Sequence, residues 1–332
     1  MAGKEKNETV MKSQIVIGAA VRKHLYSLGV LLSLFILCIV LSILSPRFLT
    51  LGNLMNVASQ ASVNAIISVG MFLAILTSGI DLSVGSTLAL STMLMGVFSI
   101  KMHMNPYVAL FVTLAIGGLL GLINGLLLTK LHLPHPFIST LGMKQMARGL
   151  ALVVTSAMPI SGFAKPIQFL GAGNVGSVPV SLFLVLVVYV LMYLFLTRTA
   201  IGRHIYAVGG NKEAARLSGI NVPAVLNLVY AISGMTAALA GIVLVGRVNA
   251  AYPLAGTDYD TDAIAAVIIG GASFFGGIGN IGNTIIGVLL ITVLRNGLNL
   301  LNVDSAIQTF AMGAVIVVAV AVDVLRQKMT SR

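Results

Sequence analysis

The sequence predicts an all-α integral membrane protein of about ten transmembrane helices, with both termini in the cytoplasm and with some helices broken or re-entrant. Three observations predict it. Of 332 residues, 58% are hydrophobic and only 9% charged. Soluble domains carry about 25% charged residues, so this chain cannot coat a globular surface with polar groups. Apolar runs long enough to span a membrane, about 20 residues each, follow one another along the chain. Lys and Arg fall unevenly between the connections, as a positive-inside orientation requires. The period-two alternation of a β-barrel is scarce.

In chain order, a tail of residues 1–24 carries Lys4, Lys6, Lys12, Arg22 and Lys23 ahead of a first span at Leu25–Leu44. A signal peptide has an apolar core of only about 7–15 residues, so this reads as an uncleaved helix. Asn53–Gln60 is too polar to span comfortably and reads as a short entrant or interfacial helix. Further spans fall at Ala61–Ile80, Leu82–Ile100, Tyr107–Thr129, Phe137–Ser156, Pro179–Thr197, Pro223–Gly246, Asp262–Gly279, Asn283–Leu301 and Ser305–Val322. The membrane domain thus occupies 25–324, and 325–332 form a C-terminal tail. Gly79-Ile80-Asp81-Leu82-Ser83 leaves almost no loop between the second and third spans.

With the N-terminus inside, cytoplasmic segments hold 13 of the 20 Lys and Arg, and external ones hold only Arg47, Lys101, Lys165 and Arg247. Lys144, Arg148 and Arg295 fall within spans, facing either a polar pathway or, for the first two, a membrane edge reached by snorkelling. The bias puts both ends and the hydrophilic loop 198–222 in the cytoplasm, and Asp258, Asp260 and Asp262 outside. The net charge of +11 therefore reports orientation in membrane lipid and no nucleic-acid partner. Cys38 is the single cysteine, which excludes an intramolecular disulfide. Ala65-Ile66, Val69 and Gly79-Ile80 return 198 positions later as Ala263-Ile264, Val267 and Gly277-Ile278, a faint internal echo.

Several motifs carry less than they promise. Gly277-Ile278-Gly279-Asn280-Ile281-Gly282 matches the dinucleotide fingerprint, but its flanks are membrane-length apolar runs rather than a βαβ unit. Gly270-Gly271 and Gly276-Gly277 mark a closely packed or broken helix instead. There is no G-x-x-x-x-G-K-[ST] phosphate loop. His132 and His135 are separated by Pro134 and joined by no carboxylate or cysteine, so no metal site is expected.

A charge at the bilayer centre costs at least about 2.5–3.5 kcal/mol, so buried ionisable groups weigh more. Asp81 and Ser83, between Gly79 and Gly85, are placed to cap the following helix or to touch a solute. Asn64, Thr77, Asn124, Asn296 and Asn299 offer amides and hydroxyls within spans, suited to a neutral hydroxyl-rich solute and equally to gluing helices together. No Ser/His/Asp set or inward carboxylate cluster supports catalysis. In the 198–222 loop, Glu213-Ala214-Ala215-Arg216-Leu217 has helix-forming composition, Asn211 is an N-cap and Gly219 a left-handed terminator. A short exposed helix follows, longer than a mere connector requires.

Together these segments resemble the permease subunits of bacterial ribose-type monosaccharide ABC importers over nearly the whole chain. The resemblance is carried by Ser45–Thr50, Ser78–Ser86, Phe137–Gly142, Gly209–Ala215, Leu217–Val222, Asp262–Val267, Gly270–Gly279 and Asn296–Leu301. It implies a non-catalytic inner-membrane subunit that pairs into a homodimer. It also implies a periplasmic sugar-binding protein outside and a tandem ATP-binding subunit, holding ATP and magnesium, on the cytoplasmic loop. On that reading Glu213, Ala214, Ala215 and Gly219 belong to a coupling helix, with Arg203, Asn211 and Arg216 in the same loop. One departure is Asp260-Thr261, where the family commonly has Glu-Leu before Asp-Ala-Ile-Ala-Ala. Permeases for galactose, allose and autoinducer-2 look similar, so the resemblance does not name the solute. The alternatives are an ion-coupled secondary transporter, which needs paired carboxylates or a proton relay in the spans, and a membrane-embedded enzyme.

Overall fold

The computed structural model describes residues 29–330. The tail 1–24, the first residues of the span expected at Leu25–Leu44, and 331–332 lie outside the described residues. Among the described residues the chain is mainly helical, and its only strands are four of two residues each. The apolar helix α1 (Gly29–Leu44) leads into α2 (Leu51–Leu76). Asn53–Gln60 forms the first turns of α2 rather than a separate interfacial helix, because the Thr50 hydroxyl accepts from the Asn53 amide and starts the helix there.

Helix α3 (Val84–Gly96) runs on into a π-helical turn at Val97–Lys101. Prolines in the first turn, where no intrahelical N–H is needed, open α4 (Pro106–Lys130) and α5 (Pro136–Val153). His135 is the N-cap of α5, its Nδ1 accepting from the Phe137 amide. Next come β1 (Ile160–Ser161), α6 (Lys165–Ala172), the β2–β3 hairpin (Asn174–Val175, Val178–Pro179) and α7 (Val180–Arg198). Helices α8 (Ala200–Gly210) and α9 (Lys212–Leu217) fill the hydrophilic loop, and α10 (Val222–Val248) follows. Then β4 (Ala250–Ala251) pairs antiparallel with β1, and α11 (Tyr259–Ile269), α12 (Ile281–Leu300) and α13 (Ser305–Thr330) complete the chain.

Seven of these helices are long and apolar enough to cross a membrane: α2, α3 with its π turn, α4, α7, α10, α12 and α13. The span expected at Asp262–Gly279 is instead the 11-residue α11, stopped by Gly270 and Gly271 and followed by an irregular loop to Asn280. Helices α2, α3, α10 and α11 form the buried centre, while α1, α7 and α13 lie outermost with large apolar side chains exposed.

A long helix, a non-helical stretch and a short helix occur twice. Helix α2 has 26 residues and is followed by 77–83 and the 13-residue α3. Helix α10 has 27 and is followed by 249–258 and the 11-residue α11. The N-terminal ends of the two short helices meet: a Cβ on Gly85 would run into the carbonyl oxygen of Gly256. The 198-residue echo therefore aligns the wrong elements, since it sets the long α2 against the short α11.

Helix α4 packs on α10 through small residues. A Cβ on Gly121 would collide with the Tyr230 carbonyl, whereas one on neighbouring Gly118 would meet nothing closer than 3.9 Å. Gly121→Ala is expected to cost about 1–3 kcal/mol through overpacking. Gly118→Ala should be neutral or stabilising by up to about 1 kcal/mol through helix propensity. Thermal unfolding in detergent micelles compares them, and equal midpoints would disprove the close seam.

Candidate functional site

Two arrangements stand out, one exposed and one buried. The exposed one is α9. The Asn211 side chain accepts from the Ala214 amide at 3.0 Å, and the helix ends with Gly219 at φ +83 while the Ile220 amide donates back to the Ala215 carbonyl. Both caps follow from residue type: Asn competes well for free N–H groups, and glycine accepts left-handed backbone without a Cβ clash. Ala215 alone of the six helical residues is buried. Glu213 and Arg216 pair at 3.0 Å one turn apart in solvent, and Leu217 is 79% exposed. Arg203 is exposed on α8, which leads into this helix. Tyr206, also on α8, donates to the Gly279 carbonyl, and partial burial pushes its phenol above the ordinary value, so it stays a neutral donor.

The buried arrangement gathers around the two short-helix starts. The Ser83 amide and hydroxyl donate to Asp81 Oδ1 at 3.0 and 2.6 Å, and the Ser233 hydroxyl donates to Asp81 Oδ2 at 2.7 Å. Asn124 Nδ2 donates to the Ser83 hydroxyl at 2.8 Å. One carboxylate thus ties the 77–83 break to α10 directly and to α4 through Ser83. Ser233 is the twelfth residue of α10, roughly 17 Å from its start at 1.5 Å per residue, close to mid-length. Of the two roles expected for Asp81 and Ser83, capping α3 or touching a solute, the first is not made: neither side chain accepts from an α3 amide, and Asp81 closes its turn onto Ser83.

Asp260 and Asp262 begin α11 and are 2% and 1% exposed. They are buried within the bundle, in the first turn of the element expected to span from Asp262. Lys144 Nζ on α5 meets Asp260 Oδ2 at 2.5 Å, and Arg295 on α12 meets Asp262 Oδ1 at 2.6 Å. Arg148, one turn beyond Lys144, donates to the carbonyls of Pro253 and Ala255. Asp260 is within electrostatic reach of Asp81 and Arg148 as well. Three aspartates and three basic side chains therefore share one region, with Asp260 and Asp262 ion-paired and Asp81 hydrogen-bonded.

The expected pathway residues do not all converge here. Asp81, Ser83 and Asn124 come together. The Thr77 hydroxyl donates to the Leu73 and Ala74 carbonyls and ends α2. Asn64 is buried on α2, thirteen residues or roughly 20 Å before Thr77. Asn296 exchanges amide hydrogen bonds with Asn53 at 2.9 and 3.1 Å, and Asn299 accepts from Gln308. Sequence reasoning missed Ser233 as Asp81's partner; its only signal was a hydroxyl in the middle of a long apolar run.

A family profile described as "Branched-chain amino acid transport system / permease component" matches residues 53–320. The chain is 44% identical to the ribose import permease protein RbsC of Escherichia coli (strain K12) over 301 residues, covering 90% of this chain and 93% of that protein. It is 44% identical to RbsC of Bacillus subtilis (strain 168) over 298 residues, 89% of this chain and 92% of the relative. The D-allose transport system permease protein AlsC of Escherichia coli (strain K12) is 44% identical over 299 residues, 89% and 91% of the two chains. No solved structure matches the chain.

Removing one partner of a buried ion pair strands the other. Fully buried pairs lose about 3–5 kcal/mol that way. Lys144 is 33% exposed, so Lys144→Met is expected to cost less, roughly 2–3 kcal/mol. Adding Asp260→Leu should recover most of the loss. Thermal unfolding in detergent reads both variants, and a double variant no more stable than the single one would show that the stranded carboxylate is not the cause.

Proposed function

The chain belongs to the branched-chain amino acid transport system / permease component family, and we propose that it forms the transmembrane pathway of an ATP-binding-cassette importer for ribose or a related monosaccharide in the bacterial inner membrane. Support for the solute comes from the relatives, whose names specify ribose, D-allose, fructose and galactose import, all neutral hydroxyl-rich molecules. A pathway for such a solute needs donors and acceptors without unpaired fixed charge. Lys144, Arg148 and Arg295 meet that need by being held on Asp260, on the 253–255 carbonyls and on Asp262.

The observation that carries the energy source is α9: a doubly capped helix exposed on every residue but one, in a chain with no phosphate loop. A tandem ATP-binding subunit, with its own ATP and magnesium, docks there. Glu213, Arg216 and Leu217 form the contact, Asn211, Ala214, Ala215 and Gly219 build the helix, and Arg203 flanks it. On this reading α1, α5 and α11 with its extended lead-in also cross, in addition to the seven long helices, for ten crossings in all. An even count puts both termini on the α9 side, the cytoplasm, in line with the charge bias. A sugar-binding protein delivers solute at the opposite face. A second copy pairs along the outer face of α5, where Gly142 and Gly149 have open space and Ile138, Leu141, Gln145 and Met146 are exposed.

Glu213→Lys combined with Leu217→Asp is expected to weaken association with the ATP-binding subunit by about tenfold or more, the effect of losing roughly 1.4 kcal/mol at a docking contact. The permease should remain folded. Quantitative co-purification measures this, with uptake in proteoliposomes alongside. Sugar accumulation driven by a proton or sodium gradient with no ATPase present would sink the proposed energy source.

A further inference from the structure

Where α2 ends, three backbones press together. The Gly277 amide donates to the Leu76 carbonyl at 2.9 Å. A Cβ on Gly209 would run into that same carbonyl, and one on Gly277 would meet the Gly210 backbone at 2.8 Å. The end of α2, the end of α8 and the loop 270–280 are therefore in backbone contact. Ser78 stands at the centre, with φ +58. Its hydroxyl lies 2.7 Å from the Phe275 carbonyl and 3.1 Å from the Gly209 carbonyl. A hydroxyl has one hydrogen to give, so these two acceptors compete for it.

The two acceptors belong to different bodies. Gly209 lies two residues before Asn211, the cap of α9, and its carbonyl is one of those a helix end leaves without an intrahelical partner. Phe275 lies in the loop that Asp323 of α13 holds through the Phe274 amide, and that leads into α12. Ser78 itself opens the 77–83 break. Three residues on, Asp81 is bound to Ser233 of α10, and between them the Ile80 carbonyl lies 3.2 Å from the Thr140 hydroxyl of α5, which also reaches the Pro136 carbonyl of its own helix at 3.0 Å.

We propose that Ser78 is a positioning residue that transmits displacement of α9 to the 77–83 segment, its single hydrogen passing between the α8 carbonyl and the 270–280 loop as the two shift against each other. This rests on the reading of α9 as the docking helix. Movement of α9 carries Gly209, which changes the partner of Ser78; through Ile80 and Asp81 the change reaches α5 and α10.

The test uses the full complex with its ATP-binding subunit in proteoliposomes, with radiolabelled D-ribose and the sugar-binding protein. Ser78→Ala and Ser78→Gly both remove the hydroxyl, and the glycine also relieves the left-handed backbone. Both are expected to co-purify with the ATP-binding subunit and hydrolyse ATP, while sugar taken up per ATP falls at least about fivefold, the size of one net hydrogen bond. Should Ser78→Ala fold poorly, Ser78→Gly keeps the measurement available. Unchanged uptake per ATP in either folded variant overturns the proposal, as does normal coupling in the glycine variant with loss only in the alanine one, since that pattern reports strain. The Glu213→Lys, Leu217→Asp control separates the two levels: full association in that control overturns the docking reading and this proposal with it.

Discussion

In hydrocarbon every backbone N–H and C=O must find its partner inside the protein, and this chain breaks its helices at three places within the bundle. The stretches 77–83, 249–258 and 270–280 lack a helix's internal hydrogen bonds. Several groups in and beside them find partners on neighbouring elements. Arg148 takes the carbonyls of Pro253 and Ala255, Thr140 takes that of Ile80, Asn249 Oδ1 accepts from the Phe163 amide, and Leu76 accepts from Gly277. An arginine suits the 253–255 stretch because a guanidinium presents several donors in a fixed fork and keeps its charge in any surroundings. The breaks and the buried polar residues are thus one feature: neither is tolerable at this depth without the other.

The same reasoning explains where the carboxylates sit. Asp81 lies just before α3, and Asp260 and Asp262 occupy the first turn of α11, at the ends where a helix dipole favours negative charge. Those two ends face each other at Gly85 and Gly256, so their positive poles converge. Three aspartates lie at that convergence, Asp260 and Asp262 ion-paired and Asp81 hydrogen-bonded. Lys144 and Arg295 approach from α5 and α12, which couples α11 to the helices around it. A purely apolar junction would pack as well, but it would leave the broken backbone unpaired.

Much of this was legible in the sequence, and the exceptions share a cause. Local signals gave the helical class, the Asn211 cap, the Gly219 terminator and the exposure of α9, because capping depends on residues within one turn. The burial of Asp260 and Asp262 was not legible locally, because a polar stretch carries no sign of the cations that pair with it. Their partners stand 116 and 33 positions away, and only the fold brings them together. Asn296 and Asn299 carry the same amide as Asn124, yet pairing with Asn53 and Gln308 takes them out of the central cluster. The 198–222 loop was readable as an exposed helix; the contact its base makes with Ser78 was not, since a serine at the end of an apolar run has no local signature.

The arrangement of rigid and breakable contacts follows from their chemistry. Around Asp81 the carboxylate receives three hydrogen bonds, and charge-assisted bonds in a low-dielectric interior are costly to leave unmade. At the α8 end the contacts are backbone to backbone or through neutral hydroxyls, Ser78 and Tyr206, each worth about 1 kcal/mol net and easily exchanged. A structure that changes shape should concentrate its rearrangement where bonds are neutral and alternatives lie within reach, and stay fixed where charge is buried. The 77–83 segment spans both regimes within seven residues, anchored at Asp81 and exchangeable at Ser78. It touches the end of α8 at Ser78 and the polar centre of the bundle at Asp81.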